Sequence, residues 1–160
     1  MRKFCQFVTI AIAAMLVSGA AFAGAGAPGH GHESYSAGEP GDPKKAARTV
    51  VVTMREGDGK MMFIPNRFEI KRGEQIRFKL RNVGELEHEF VLATTAENIK
   101  HARQMEKNPE MEHDDPNAKR VKPKQADDIV WRFTRRGTFE YGCLIPGHRE
   151  AGMIGTIVVK

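Results

Sequence analysis

The sequence predicts an all-β fold, a Greek-key β-sandwich with a helical and loop insertion between two strands. Three observations predict it. Short β-branched or aromatic runs bounded by Gly, Pro, Asn and Asp recur from Thr49 to Lys160. Two of them, around Ile76-Phe78-Leu80 and Ile129-Trp131-Phe133, alternate apolar and polar residues with the period of a half-buried strand. One stretch, about 94–126, carries no strand signal and has helix punctuation instead.

At the N-terminal side, Arg2 and Lys3 precede an apolar run from Phe7 to Val17, and Ala21-Phe22-Ala23 has the small-x-small form of a signal-peptidase site. Residues 1–23 are therefore expected to be a signal peptide cleaved after Ala23, which places the mature protein in the periplasm. The run is short for a membrane span, and Cys5 precedes it, where no lipid attachment is expected, so no membrane anchor is predicted. Residues 24–47 are rich in Gly, Pro, Ala and Ser without apolar periodicity, which predicts a flexible arm containing His30 and His32.

The domain proper is expected over 48–160. Its runs are "TVVVTM", "MMFIPNRFEI", "QIRFKLRN", "HEFVLAT", "DIVWRFT", "GTFEYGC" and "MIGTIVVK", seven or eight strands in all. Within the insertion, Thr94-x-x-Glu97 matches a capping box, Ile99, Ala102 and Met105 recur at helical spacing, and Asn108-Pro109 stops the element. The rest, "EMEHDDPNAKRVKPKQA", is polar and punctuated by proline, which predicts a long surface loop.

Charge narrows the function classes. The expected mature chain keeps 23 of the 25 basic residues and all 20 acidic ones, a formal charge of +3 against +5 for the whole sequence. Those charges are interspersed, and aromatics do not alternate with arginines, so no nucleic-acid partner is indicated.

Cleavage leaves Cys143 as a lone cysteine in a compartment that favours disulfides. Four residues separate it from His148, and four more separate His148 from Met153, just before a strand-like run. A thiolate, imidazoles and a thioether are the donors of a type 1 copper centre, in which two His and one Cys surround the ion and Met approaches along the axis. His88, at the start of "HEFVLAT", is the histidine mounted on a predicted sandwich strand and supplies the second imidazole. Plainer readings are a buried free thiol, a solvated His88 and a Met153 that only fills the core. A nucleophilic Cys–His pair would need an orienting third group and an oxyanion site, and neither is signalled. Structural zinc seldom uses methionine. A binuclear copper site needs a second cysteine in the loop, and a multicopper oxidase needs His-x-His pairs beyond His30-Gly31-His32.

The Cys143-x4-His148-x4-Met153 motif, the preceding "GTFEYGC", the upstream His88 and "FIPNRFEIKRGEQIRFKLRN" (63–82) resemble the cupredoxins, the family of plastocyanin, azurin and pseudoazurin. That resemblance covers about Thr49 to Lys160 apart from the insertion. It implies a β-sandwich with one mononuclear copper, Cu(I)/Cu(II) chemistry, an extracytoplasmic location, and His88, Cys143, His148 and Met153 as metal ligands. It also implies an asparagine after the first histidine, bracing the cysteine loop; this chain has Glu89 there. The insertion and the His-containing arm are similar to those of cupredoxins associated with bacterial copper tolerance.

His101 and Met105 share a helical spacing, with Met111 and His113 soon after, so these four, and separately His30 and His32, are candidates for additional weak copper sites. Two functions fit. One is copper handling and tolerance, with copper ions and a copper-transfer protein as partners; the other is a soluble electron shuttle between redox partners. The insertion and arm, which a shuttle does not need, favour the first. A redox enzyme is disfavoured, because four protein ligands leave no open position for substrate.

Overall fold

The β-branched runs pair into two five-stranded sheets in the computed structural model, which describes residues 35–109 and 115–160. The strands are β1 (Glu39–Pro40), β2 (Arg48–Gly57), β3 (Lys60–Ile64), β4 (Arg67–Ile70), β5 (Gln75–Asn82), β6 (His88–Ala93), β7 (Ala118–Val121), β8 (Ala126–Arg132), β9 (Gly137–Gly142) and β10 (Ile154–Val159). Helix α1 (Thr95–Lys107) lies between β6 and β7. One sheet runs β1-β8-β5-β2-β3 and the other β4-β10-β9-β6-β7. The pairs β2·β5 and β4·β10 are parallel and the rest antiparallel.

Alternation in the sequence becomes register in the sheet. Ile76, Phe78 and Leu80 are fully buried while Arg77, Lys79 and Arg81 lie on the other face, and Ile76 and Phe78 sit opposite Trp131 and Ile129 of β8. Side chains from both sheets meet in one apolar core, including Phe63, Phe78, Phe90, Trp131, Tyr141 and Ile157. Each such side chain contributes about 1.5–3 kcal/mol through burial. Tyr141 is central: its ring stacks on Phe68 and Phe90, at centroid distances of 5.3 and 5.1 Å, and its hydroxyl donates to the Pro65 carbonyl at 2.6 Å.

The structure departs from the sequence reading in four places. The run "MMFIPNRFEI" is two strands, β3 and β4, in different sheets, because Pro65 interrupts the ladder. The insertion holds a strand where none was expected: β7 pairs with β6, with Val121 opposite His88 and Ala118 opposite Val91. Its sequence, "AKRV", is half charged because it is an edge strand whose Lys119 and Arg120 stay half-exposed between buried Ala118 and Val121. Ten strands therefore stand among the described residues, against seven or eight expected. Finally, the part of the expected flexible arm from Tyr35 onward is seated on the sandwich. Tyr35 packs edge-to-face on Trp131 at 5.3 Å, Ala37 is buried, and β1 pairs with β8. A lone aromatic in a Gly- and Pro-rich stretch has no periodicity to reveal it; its partner lies 96 positions away.

The helix forms as its punctuation implies. Thr94 caps it, with the Glu97 amide donating to the Thr94 hydroxyl oxygen and the Thr94 amide donating to the Glu97 carboxylate, and the chain leaves at Asn108. Its apolar side covers the outer face of β6. That cover explains why all six residues of β6 are buried rather than alternating.

Candidate metal centre

Two parts of the second sheet build the site. His88 opens β6, and Cys143 follows the last residue of β9. The chain then turns through Pro146-Gly147, with Gly147 at φ +86, a conformation that glycine adopts without steric cost. It returns through His148 to Met153 and enters β10. Backbone bonds close the loop at its base: the Cys143 amide donates to the Met153 carbonyl and the Met153 amide to the His148 carbonyl, both at 3.1 Å. The Met61 amide donates to the Ala151 carbonyl at 3.0 Å and ties the loop to β3.

Three donor atoms converge there. His148 Nδ1 lies 3.3 Å from Cys143 Sγ and 3.3 Å from His88 Nδ1, and the donor atoms of all three residues fall within 4.8 Å of one another. A trigonal site with metal–donor bonds of roughly 2.0–2.3 Å separates its donors by about 3.5–4 Å, so the arrangement fits an ion with little movement. Cys143, His88 and Met153 are fully buried, and His148 is partly exposed. Met153 shares the core cluster with Cys143.

Burial sets the protonation. It pushes the Cys143 thiol up to about 12, so without an ion the sulfur is a neutral thiol, and an incoming metal must displace its proton. Burial, then the neighbouring His88, lower the His148 value, which keeps that imidazole neutral with a lone pair to give. The Glu89 amide donates to Cys143 Sγ at 3.3 Å.

Glu56 is a participant that sequence reasoning missed. Its Oε1 lies 2.6 Å from His88 Nε2. A carboxylate only accepts, so Nε2 carries the proton and Nδ1 presents its lone pair to the other donors. Burial raises the Glu56 carboxyl, but amide bonds from Glu85 and Leu86 and the bond from His88 outweigh it and hold the value below the ordinary one. The turn 83–87 wraps this carboxylate so closely that a Cβ on Gly84 would lie 2.2 Å from it. Nothing in "MREGDGK" signals the role, because Glu56 meets His88 only through the folding of β2 against the turn before β6.

Glu89, where the resemblance implied asparagine, still braces the cysteine loop. Its amide donates to Cys143 Sγ, its carboxyl is buried beside Leu144, and burial raises the carboxyl's value against the pull of Arg120. The other candidates are not brought to this centre. Met105 is fully buried with Val91, Ala118 and Leu144, which accounts for it as core, and His101 lines a surface cleft with Asp115 and Asn117. His30, His32, Met111 and His113 lie outside the described residues.

Residues 50–160 match the family model of copper-binding proteins of the plastocyanin/azurin family. The chain is 48% identical to the copper-resistant cuproprotein CopI of Rubrivivax gelatinosus, over 89% of this chain and 82% of that protein. It is 31% identical to the CopI of Pseudomonas aeruginosa strain PAO1, over 92% of this chain and 95% of that one. In fold it is similar to the reduced auracyanin of Roseiflexus castenholzii, with a TM-score of 0.59 and 19% identity, over 72% of this chain and 99% of that chain. With a family match spanning the sandwich and near-full-length relatives, the chain belongs to the plastocyanin/azurin family of copper-binding proteins, the cupredoxins.

Proposed function

We infer that this protein is an exported, periplasmic copper-handling factor that contributes to copper tolerance. His88, Cys143, His148 and Met153 hold its single type 1 copper. The observation that carries the reading is the buried convergence of Cys143 Sγ with two imidazole Nδ1 atoms. The name shared by its relatives, copper-resistant cuproprotein, supports tolerance as the role. A bound copper supplies one-electron exchange between Cu(I) and Cu(II).

The residues divide the work. Cys143 gives up its proton to become the thiolate donor, while Glu56 orients His88 and Glu89 holds the cysteine loop. The core packed around Cys143 and Met153 keeps bulk water from the sulfur atoms. Four protein donors leave no position for a substrate, so the protein is not an enzyme in this reading. His101, Met111, His113, His30 and His32 remain candidates for weaker copper binding outside the main centre.

A second reading, electron shuttling to a redox partner, is favoured by one observation: His148 is the one member of the buried His/Cys/His group with part of its surface exposed. A copper titration of the mature protein decides between the two, with visible absorption and total bound metal followed together. Saturation of the thiolate-to-copper band at one equivalent, with further copper bound without more band, supports handling. Binding that stops at one equivalent moves shuttling ahead, and a folded protein without the band overturns the site.

A further inference from the structure

Helix α1 reaches the loop carrying Cys143 and His148 by two routes, one direct and one through Glu140 of β9. On its apolar side, Met105 packs with Leu144, the residue directly after Cys143. On its polar side, Asn98, which is 1% exposed, donates from Nδ2 to Glu140 Oε1 at 3.0 Å. That carboxylate also accepts both arms of the Arg149 guanidinium, Nη1 to Oε1 and Nη2 to Oε2. Arg149 directly follows His148, and Glu140 is 5% exposed. A two-pronged bond of this kind fixes a guanidinium in direction as well as distance. The buried carboxylate is thus shared between the insertion and the residue next to a metal donor.

We propose that the Asn98–Glu140–Arg149 network positions the metal centre: through it, helix α1 holds the Cys143–His148 segment in its metal-binding arrangement and slows release of the ion. The proposal rests on the copper-site reading above and gives the insertion a part in it. An ion leaves by successive detachment of its donors, and detaching His148 requires the loop to swing outward. With Arg149 anchored to a carboxylate that is itself held by α1, that swing must first break a buried ion pair and leave a charge without its partner. Asn98, Glu140 and Arg149 are positioning residues, since the network reaches the centre only through the loop backbone.

The test is copper release from the full mature protein in ascorbate, with excess bathocuproine disulfonate capturing Cu(I). It compares the wild type with Asn98→Ala, Glu140→Gln and Arg149→Lys, and records the visible spectrum and the melting temperature of the metal-free form for each. Each variant is expected to keep a thiolate-to-copper band at one equivalent and to release copper about tenfold faster or more. Asn98→Ala combined with Arg149→Lys should be less than additive, because both act on one carboxylate. Unchanged release in all three overturns the proposal. So does a lowered metal-free melting temperature with unchanged release, which is what plain structural packing would give. If Glu140→Gln fails to fold, Arg149→Lys, which keeps the charge and loses the fork, answers alone. A wild type without the band refutes the copper site and this proposal with it, whereas a normal band with unaltered release refutes this proposal only.

Discussion

Cys143 is held as a neutral thiol by burial, so in the proposed centre copper binding at this residue is a proton exchange. The sign follows directly: below about 12 the metal-free sulfur is protonated, binding releases that proton, and apparent affinity rises with pH. Competition titrations should show roughly a tenfold gain per pH unit near neutrality if the thiol supplies the one proton released. Cys143→Ser should abolish the intense thiolate-to-copper absorption while far-UV circular dichroism of the metal-free protein stays unchanged; a retained band would remove Cys143 from the ligand set. For Glu56→Gln we expect the band to remain but affinity to fall roughly tenfold or more. The reduction potential should rise, since an anion on His88 favours the more highly charged Cu(II). A potential equal to the wild type's would mean that the 2.6 Å contact carries no electrostatic weight.

At the scale of elements, β6 shows what the insertion contributes. A strand with a solvated outer face alternates, yet His88–Ala93 are all buried, because α1, β7 and the start of the copper loop cover that face with Met105, Ala118 and Leu144. Met105→Ala should therefore cost about 2–5 kcal/mol in urea unfolding of the metal-free protein, the range of a core truncation. A cost below about 1 kcal/mol, the scale of a tolerated core swap, would mean the helix is only loosely docked. The second sheet is equally tight at β10: a Cβ on Gly155 would lie 2.0 Å from the Tyr141 ring, which is stacked between Phe68 and Phe90 and cannot withdraw. Gly155→Ala is expected to destabilise the fold by overpacking, on the order of 1–3 kcal/mol by the same measurement.

For the whole molecule, the candidate donors join β6 to the β9–β10 loop, positions 55 or more apart in sequence, so a copper held by them would clip the second sheet together. Free copper at 100 times its dissociation constant should add about 2.7 kcal/mol of stability, seen as a higher melting temperature of the loaded form. Acid should weaken the fold through Glu140. Burial raises its carboxyl, but the bonds from Arg149 and Asn98 outweigh burial and hold it below the ordinary value. A group lowered in the folded state contributes stability that is fully present above its unfolded value and is lost as pH falls through the lowered folded value. Stability measured against pH should therefore decline on the acid side in the wild type, and Glu140→Gln should flatten that limb.

The candidate donor set was proposed from the sequence because three of its members stand within eleven positions, where loop spacing alone limits how far apart they lie. The strands of the domain were legible as well, since periodicity and β-branching are local properties, and so was α1 through its capping box. Other features were decided only by the fold. Glu56 meets His88 across 32 positions, Tyr35 meets Trp131 across 96, and Glu140 meets Asn98 across 42 while it holds Arg149. β7 was hidden because this four-residue edge strand has two half-exposed charges at its centre and lacks an apolar alternation. By itself the sequence determined the all-β class and singled out Cys, His and Met residues as candidate donors to a soft metal. Tertiary structure alone decided which carboxylates stand behind those residues and how firmly their loop is held, because a buried carboxylate is selected by partners that the chain brings together only when it folds.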